Sequence, residues 1–331
     1  MSAVYRIFGS EMSPYSVKVR SYFRFKGIPH QWIPRGPANE EAYKHFAKLP
    51  IVPTVATPQD EGLQDSTPIL EKVEVAHPEP SIHPTEPALR FLSELIEEFG
   101  DEWGNKLMFH HRWWDEVDIA ASAQTLARLS MPRGDEPAVA ERTEMIRQRM
   151  TGRGHFVGSS AATADLIRAY LNELLDLLEP HFETRKYLFG GRPAFGDFGL
   201  SAQLYEASVD PTCGSILKSR GPNTLAWCHR MLEPRNDGPF ESWEALAPTL
   251  KPVLAYIGRY FLPWTTANAT ALAEGAESFT VDLAGKAYVQ PPQKYHAKSL
   301  AIIRAKRAAV SDPELAAILA ETGCEPWLAG G

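Results

Sequence analysis

Val4-Tyr5-Arg6-Ile7-Phe8 is an apolar, β-branched run that predicts a strand, and Gly9-Ser10-Glu11 predicts the turn that ends it. Pro14 then opens a helix running through Phe25, with Ser13 at its cap. Gly27, with Pro29 just beyond, closes that helix before the short apolar Gln31-Trp32-Ile33-Pro34. Strand, helix, strand in this order implies a parallel pair with the helix as crossover. A short helix over Glu40 to Lys48 follows. Leu49 to Thr57 reads as a strand entered through proline, and Gln59-Asp60-Glu61-Gly62 as a turn into Leu63-Gln64. Asp65-Ser66-Thr67-Pro68 caps a helix over Ile69 to Ala76.

From His77 to Pro87 the chain is proline-rich and polar, which predicts an interdomain connector. Beyond Ala88 the pattern turns helical. Leu89, Phe91, Leu92, Leu95, Ile96 and Phe99 lie at the three- and four-residue spacing of one buried face, which Trp103, Leu107, Phe109, Trp113 and Trp114 extend. Adjacent His110 and His111 point in different directions on a helix, so they read as core and cleft wall, not as a shared ligand pair. Glu141 to Met150 is a charged helical run. The stripe Leu166, Ile167, Tyr170, Leu171, Leu174, Leu175 and Leu178 belongs to a helix begun at Thr163-Ala164-Asp165. Lys251 to Leu262 predicts another helix, followed by two short extended pieces, Phe279 to Leu283 and Lys286 to Gln290. A basic amphipathic helix over Ala297 to Val310 and a last one capped by Ser311-Asp312-Pro313 end the chain.

The length of 331 residues accommodates two domains, and 44% hydrophobic with 23% charged residues is the balance of a globular protein, not a disordered one. A net charge of −7 gives no reason to expect nucleic acid or an anionic membrane as partner, and the four cations of the basic helix, Lys298, Arg304, Lys306 and Arg307, are expected to pack on the acidic body. With no basic leader and no apolar run approaching about 20 residues, a cytoplasmic protein is expected. Three scattered cysteines, Cys213, Cys228 and Cys324, fit a reducing compartment and offer neither a disulfide framework nor a metal site.

Three places carry candidate chemistry, each with an ordinary reading beside it. Ser13 is a helix cap, or a hydroxyl able to donate to a thiolate at a helix start, where unpaired amides and the macrodipole favour negative charge. Ser13-Pro14-Tyr15-Ser16 has the spacing of a redox Cys-x-x-Cys with both sulfurs absent, so no mixed disulfide forms there. Val52-Pro53 is an edge device, or a cis bond that aims the Val52 backbone into a cleft. Asp65-Ser66 is a cap, or a site whose free amides and hydroxyl bind a carboxylate while Asp65 takes an ammonium.

Taken in order, these elements resemble the glutathione transferase superfamily. Ser13-Pro14-Tyr15-Ser16-Val17-Lys18-Val19-Arg20 is similar to the Ser-Pro-Tyr-x-x-Lys-Val-Arg segment of bacterial members, Val52-Pro53 to their cis-proline site, and Asp65-Ser66 to their γ-glutamyl site. Tyr187 to Phe198 resembles the start of the central helix of their helical domain, with Ala194 where a Ser or Thr cap is usual and Asp197 three positions on. The resemblance implies an α/β thioredoxin-like domain over residues 1–80, an all-α transferase domain over 88–262, and an extension over 263–331 packing on the body.

It further implies glutathione as co-substrate, its thiolate activated by Ser13 for attack on a small electrophile. Tyr15, Ser10 and Ser16 are rival hydroxyls. Val52 and Pro53 would hold the cysteinyl backbone of glutathione, Asp65 and Ser66 its γ-glutamyl group, and Arg35 or Lys48 its glycine carboxylate; Trp113 and Trp114 would line the electrophile site. A homodimer is expected, unless the extension covers the usual interface. The alternative is a non-catalytic binding or assembly module that keeps the fold.

Overall fold

The computed structural model describes residues 4–329. Strands β1 (Tyr5–Gly9) and β2 (His30–Pro34) pair in parallel through helix α1 (Pro14–Phe25), which fills its predicted span. Helix α2 (Glu40–Phe46) leads to β3 (Thr54–Ala56), β4 (Gly62–Gln64) and helix α3 (Ser66–Ala76), and the sheet order is β2-β1-β3-β4 with both β3 pairings antiparallel. Side chains alternate across the sheet. Ile7 and Val55 join the main core with α1 and α3, while Phe8 and Ala56 meet Tyr43 and Phe46 of α2 on the other face. This is the thioredoxin-like arrangement that the sequence implies.

The predicted strand over Leu49 to Thr57 shrinks to Thr54–Ala56. Pro50 and Pro53 have no N–H for a ladder. The freed backbone is served by side chains instead: Gln64 Oε1 accepts from the amides of Lys48 (2.7 Å) and Leu49 (2.9 Å), and the Tyr43 hydroxyl donates to the Leu49 and Ile51 carbonyls.

The connector at 77–87 is pinned in mid-course. Lys26 Nζ donates to the Pro80 carbonyl at 2.8 Å, and the amide of Phe195 donates to the buried Ile82 at 2.9 Å. Helix α4 (Pro87–Phe99) continues through a widened π turn, Gly100–Gly104, into α5 (Asn105–Trp114). Then come α6 (Glu116–Ser130), α7 (Glu136–Thr151), α8 (Ala164–Thr184), α9 (Phe195–Ser208), α10 (Pro211–Arg220), α11 (Pro222–Arg230) and α12 (Trp243–Tyr256). Helix α9 is buried along almost its whole length against α1, α4 and α5. Gly100 permits that approach, because a Cβ there would sit 2.5 Å from the Leu200 nitrogen.

At the start of α9, Ala194 supplies no cap oxygen, so only one half of a reciprocal cap exists. Asp197 makes that half and more, accepting from the amides of Ala194 and Leu188 (both 2.8 Å) and from Trp227 Nε1 (2.9 Å). Helix α12 runs on through a second π turn, Ile257–Phe261, into α13 (Leu262–Ala273), so residue 262 lies inside a continuous helical run. A hairpin, β5 (Phe279–Asp282) and β6 (Ala287–Gln290), then returns the chain to α14 (Lys294–Ala308), α15 (Pro313–Glu321) and the short α16 (Glu325–Leu328). Helix α14 lies along α4, with Lys306 bonded to Glu71 (2.7 Å) and near Glu94 (3.7 Å).

Candidate functional site

A cavity of about 440 Å³ opens where the β3 approach, the start of α3, the first π turn and the start of α14 converge. Val52 and Pro53 form one wall, and the peptide between them is cis. Asp65 and Ser66 form the next. Asp65 has φ +75°, a backbone setting that a residue with a side chain adopts at a cost of about 1–3 kcal/mol and that clusters at ligand sites. Ser66 begins α3, so unpaired amides of its first turn face the same space.

Lys18 holds this corner from below. Its side chain is fully buried, and Nζ donates to Ser66 Oγ (3.3 Å), Thr67 Oγ1 (3.0 Å), Asp101 Oδ2 (2.6 Å) and Glu97. Burial pulls the ammonium's pKa down, but Asp101 and Glu97 more than offset that, and it ends above an ordinary lysine. Burial holds the Asp101 carboxyl above the usual carboxylate range, against the pull of Lys18. Asp101 Oδ1 remains a buried acceptor without a partner among the described residues.

The structure adds four residues from distant segments to the cavity, none of them singled out as a site residue from the sequence. Asp101 and Glu102 lie in the π turn, whose extra residue per turn swings them toward α3, and Tyr295 and His296 begin α14. The Tyr295 hydroxyl donates to Asp65 Oδ2 at 2.8 Å, and His296 Nδ1 bonds Glu102. One signal was legible: Glu97, Glu98, Asp101 and Glu102 are spaced as one acidic helical face, and the basic α14 is its complement.

Ser13 caps α1 and accepts from the Ser16 amide at 3.3 Å, a long bond that leaves its own proton free. It lines neither of two adjoining cavities: Tyr15 lines the first, Ser10 the second, and Val52 both. Its loop is held by Arg112, which donates to the Met12 carbonyl at 3.1 Å and pairs with Glu206 (2.9 Å) and Asp210 (2.8 Å), all buried. Tyr15 donates to the Asp101 carbonyl at 2.9 Å; burial first, then Glu102 and Asp101, raise its pKa well above an ordinary phenol, so it stays protonated and engaged. Ser16 is buried, with its Oγ accepting from the Ser10 amide.

Arg35 lines both cavities, whereas Lys48 lines a separate groove with Gly62 and Lys72. Trp113 is buried against Phe109 and Ile119, and Trp114 stacks on His110, so neither tryptophan reaches either cavity. His110 and His111 are core residues, bonded to Ser159 Oγ and the Leu107 carbonyl, each at 2.7 Å, and burial lowers the pKa of both, His110 to about 3. Among the described residues no group of acids, histidines and cysteines is arranged to hold a metal ion. No described helix is long and apolar enough to cross a membrane.

Residues 7–81, which carry every wall of the cavity except the π turn and α14, match the family described as Glutathione S-transferase, N-terminal domain. They are a glutathione S-transferase N-terminal domain. Outside this transferase domain the comparisons reach less far. No curated protein matches the chain. Among solved structures, a glutathione S-transferase from Methylobacterium radiotolerans, in complex with glutathione sulfonate, is 20% identical over 72% of this chain and 96% of its own, at a TM-score of 0.40. A glutathione S-transferase from Methylobacillus flagellatus with glutathione bound is 18% identical over 69% and 95%, at 0.41. The Beta-etherase LigF of a Sphingobium strain is 16% identical over 70% and 95%, at 0.46.

Proposed function

We propose that the chain is a glutathione-dependent transferase. The reading is carried by one observation: Val52, Pro53, Asp65 and Ser66, four residues of a glutathione S-transferase N-terminal domain, line a single cavity beside the cap of α1. In this reading the Val52 backbone pairs with the cysteinyl unit, the first turn of α3 and Ser66 take the γ-glutamyl carboxylate, and Arg35 takes the glycine carboxylate. The ammonium finds Asp65 and the unpartnered Asp101 Oδ1. Ser13 donates its hydroxyl to the sulfur. A free thiol has a pKa of about 8.5, and each unit of lowering corresponds to about 1.4 kcal/mol. The thiol proton goes to solvent, the thiolate forms the new S–C bond, and the electrophile's leaving group departs with the electron pair.

Calorimetric titration with glutathione from pH 6 to 9 tests the first half. Binding with a Kd below about 1 mM and proton release is the expected result. Asp65→Ala is expected to weaken binding by roughly 1.5–3 kcal/mol, and equal affinity in wild type and variant would remove Asp65 from the site. Ser13→Ala is expected to lower turnover at least about ten-fold with modest change in affinity, since a hydrogen bond to a charged sulfur is worth about 1.5–3 kcal/mol. Unchanged turnover would exclude Ser13.

The Tyr295 hydroxyl already on Asp65 favours a second reading, a non-catalytic binding module. Under it, glutathione at several millimolar gives neither heat nor a thermal shift.

A further inference from the structure

A second cavity, of about 560 Å³, shares Arg35 and Val52 with the first and lies between the Gly9-Ser10-Glu11 turn and helices α6 and α7. Its size suits a small molecule, not a macromolecular surface. Two properties of its wall are unusual together. The body is apolar, with Leu126 and Leu129 from α6 and Ile146 and Met150 from α7. The rim is cationic, with Arg35, Arg128, Arg142, Arg149 and Arg153 against the single carboxylate of Glu11. That carboxylate is already bound by both terminal nitrogens of Arg20, at 2.7 and 2.8 Å.

The arginines are not neutralised alike. Arg128 is bonded to Glu136 and Arg35 lies 3.6 Å from Glu40, but Arg142, Arg149 and Arg153 make no ion pair among the described residues. They stand with Ile146 and Met150 at the three- and four-residue spacing of one stripe along α7 and just past its end. Complementing the helix dipole would explain Arg149 and Arg153 near the C-terminal turn, yet Arg142 lies two turns earlier. Uncompensated cations clustered over an apolar hollow, in a chain of net charge −7, raise the local concentration of anions.

We propose that this cavity takes an anionic small molecule with an apolar body, and that the electrophile of the transferase reaction carries a carboxylate, sulfonate or phosphate set against Arg142 and Arg149. The second clause rests on the transferase reading; the charge preference of the cavity does not. The Ser13 amide donates to the Ser10 carbonyl at 3.2 Å, so the turn that closes this cavity is continuous with the cap that faces the sulfur.

The test is a fluorescence titration of the full chain with 8-anilinonaphthalene-1-sulfonate and, in parallel, with uncharged N-phenyl-1-naphthylamine, which has the same rings. The expected result is one-to-one sulfonate binding that weakens as salt is raised, and that falls about ten-fold or more in Arg142→Gln/Arg149→Gln, with the neutral probe unchanged in both experiments. Arg147→Gln is the control, because Arg147 is bonded to Glu116 away from this cavity. Sulfonate affinity insensitive to salt in the wild type overturns the proposal whether or not the double variant folds, and so does equal weakening in Arg147→Gln. Sulfonate selectivity without glutathione binding keeps the anion cavity and removes the transferase; glutathione binding without sulfonate selectivity does the reverse.

Discussion

Lys18→Met is expected to destabilise the fold by about 3–5 kcal/mol, read as a shift in denaturant midpoint at constant slope. Methionine fills nearly the same volume, so packing is retained while the buried carboxylates Asp101 and Glu97 lose their cation and Ser66 and Thr67 lose their donor. The sign of the pH dependence follows from the same geometry. Burial already raises the Asp101 pKa and Lys18 opposes it, so removing Lys18 lets it rise further. A carboxyl whose folded pKa exceeds its unfolded value of 3.8 binds more protons folded than unfolded between the two. The variant is therefore expected to lose stability as pH rises from 5 to 8, and its deficit against wild type to be larger at pH 8 than at pH 5. Adding Glu97→Gln and Asp101→Asn to Lys18→Met should recover much of the loss, which a simple cavity would not. A deficit that is equal at both pH values and not rescued would show that the cluster is already protonated.

Arg112→Met carries a loss of similar size, about 3–5 kcal/mol, for a related reason and with a second readout. Its guanidinium lies buried between Glu206 and Asp210 and also reaches the Met12 carbonyl, directly before Ser13. Stability is expected to fall because two carboxylates are stranded. On the transferase reading proposed above, turnover should fall beyond what the unfolded fraction explains, because Arg112 fixes the loop that aims the cap of α1. Measuring turnover well below the variant's own Tm separates the two. Full turnover there, with reduced stability, would limit Arg112 to the core.

How much of this was legible depended on whether the signal was local. The span of α1, the order of β1 to β4 and the pairing of Val52-Pro53 with Asp65-Ser66 sit in single short stretches, where periodicity, proline and cap residues act on near neighbours. The shortened β3 was not legible, because Gln64 and Tyr43 take over backbone bonding that the strand pattern assigns to a ladder. Trp113 and Trp114 read as cleft residues by residue type, but the turn of α5 directs them to the Ile119 cluster and His110. The burial of Lys18 and Arg112 was not legible either. It is set by carboxylates about 80 to 100 positions away, which only the packing of α4 and α9 brings to them.

The hydrogen bond from Tyr295 to Asp65 joins residues 230 positions apart in one chain. A wall supplied by a separate molecule would come and go with protein concentration; this one is tethered, so its local concentration is fixed by the chain itself. This wall of the first cavity is thus present in each single chain at any dilution, and its shape is inherited with the length and sequence of the hairpin and α14. A deletion or a cut in that distant segment alters the pocket as directly as a substitution at Asp65.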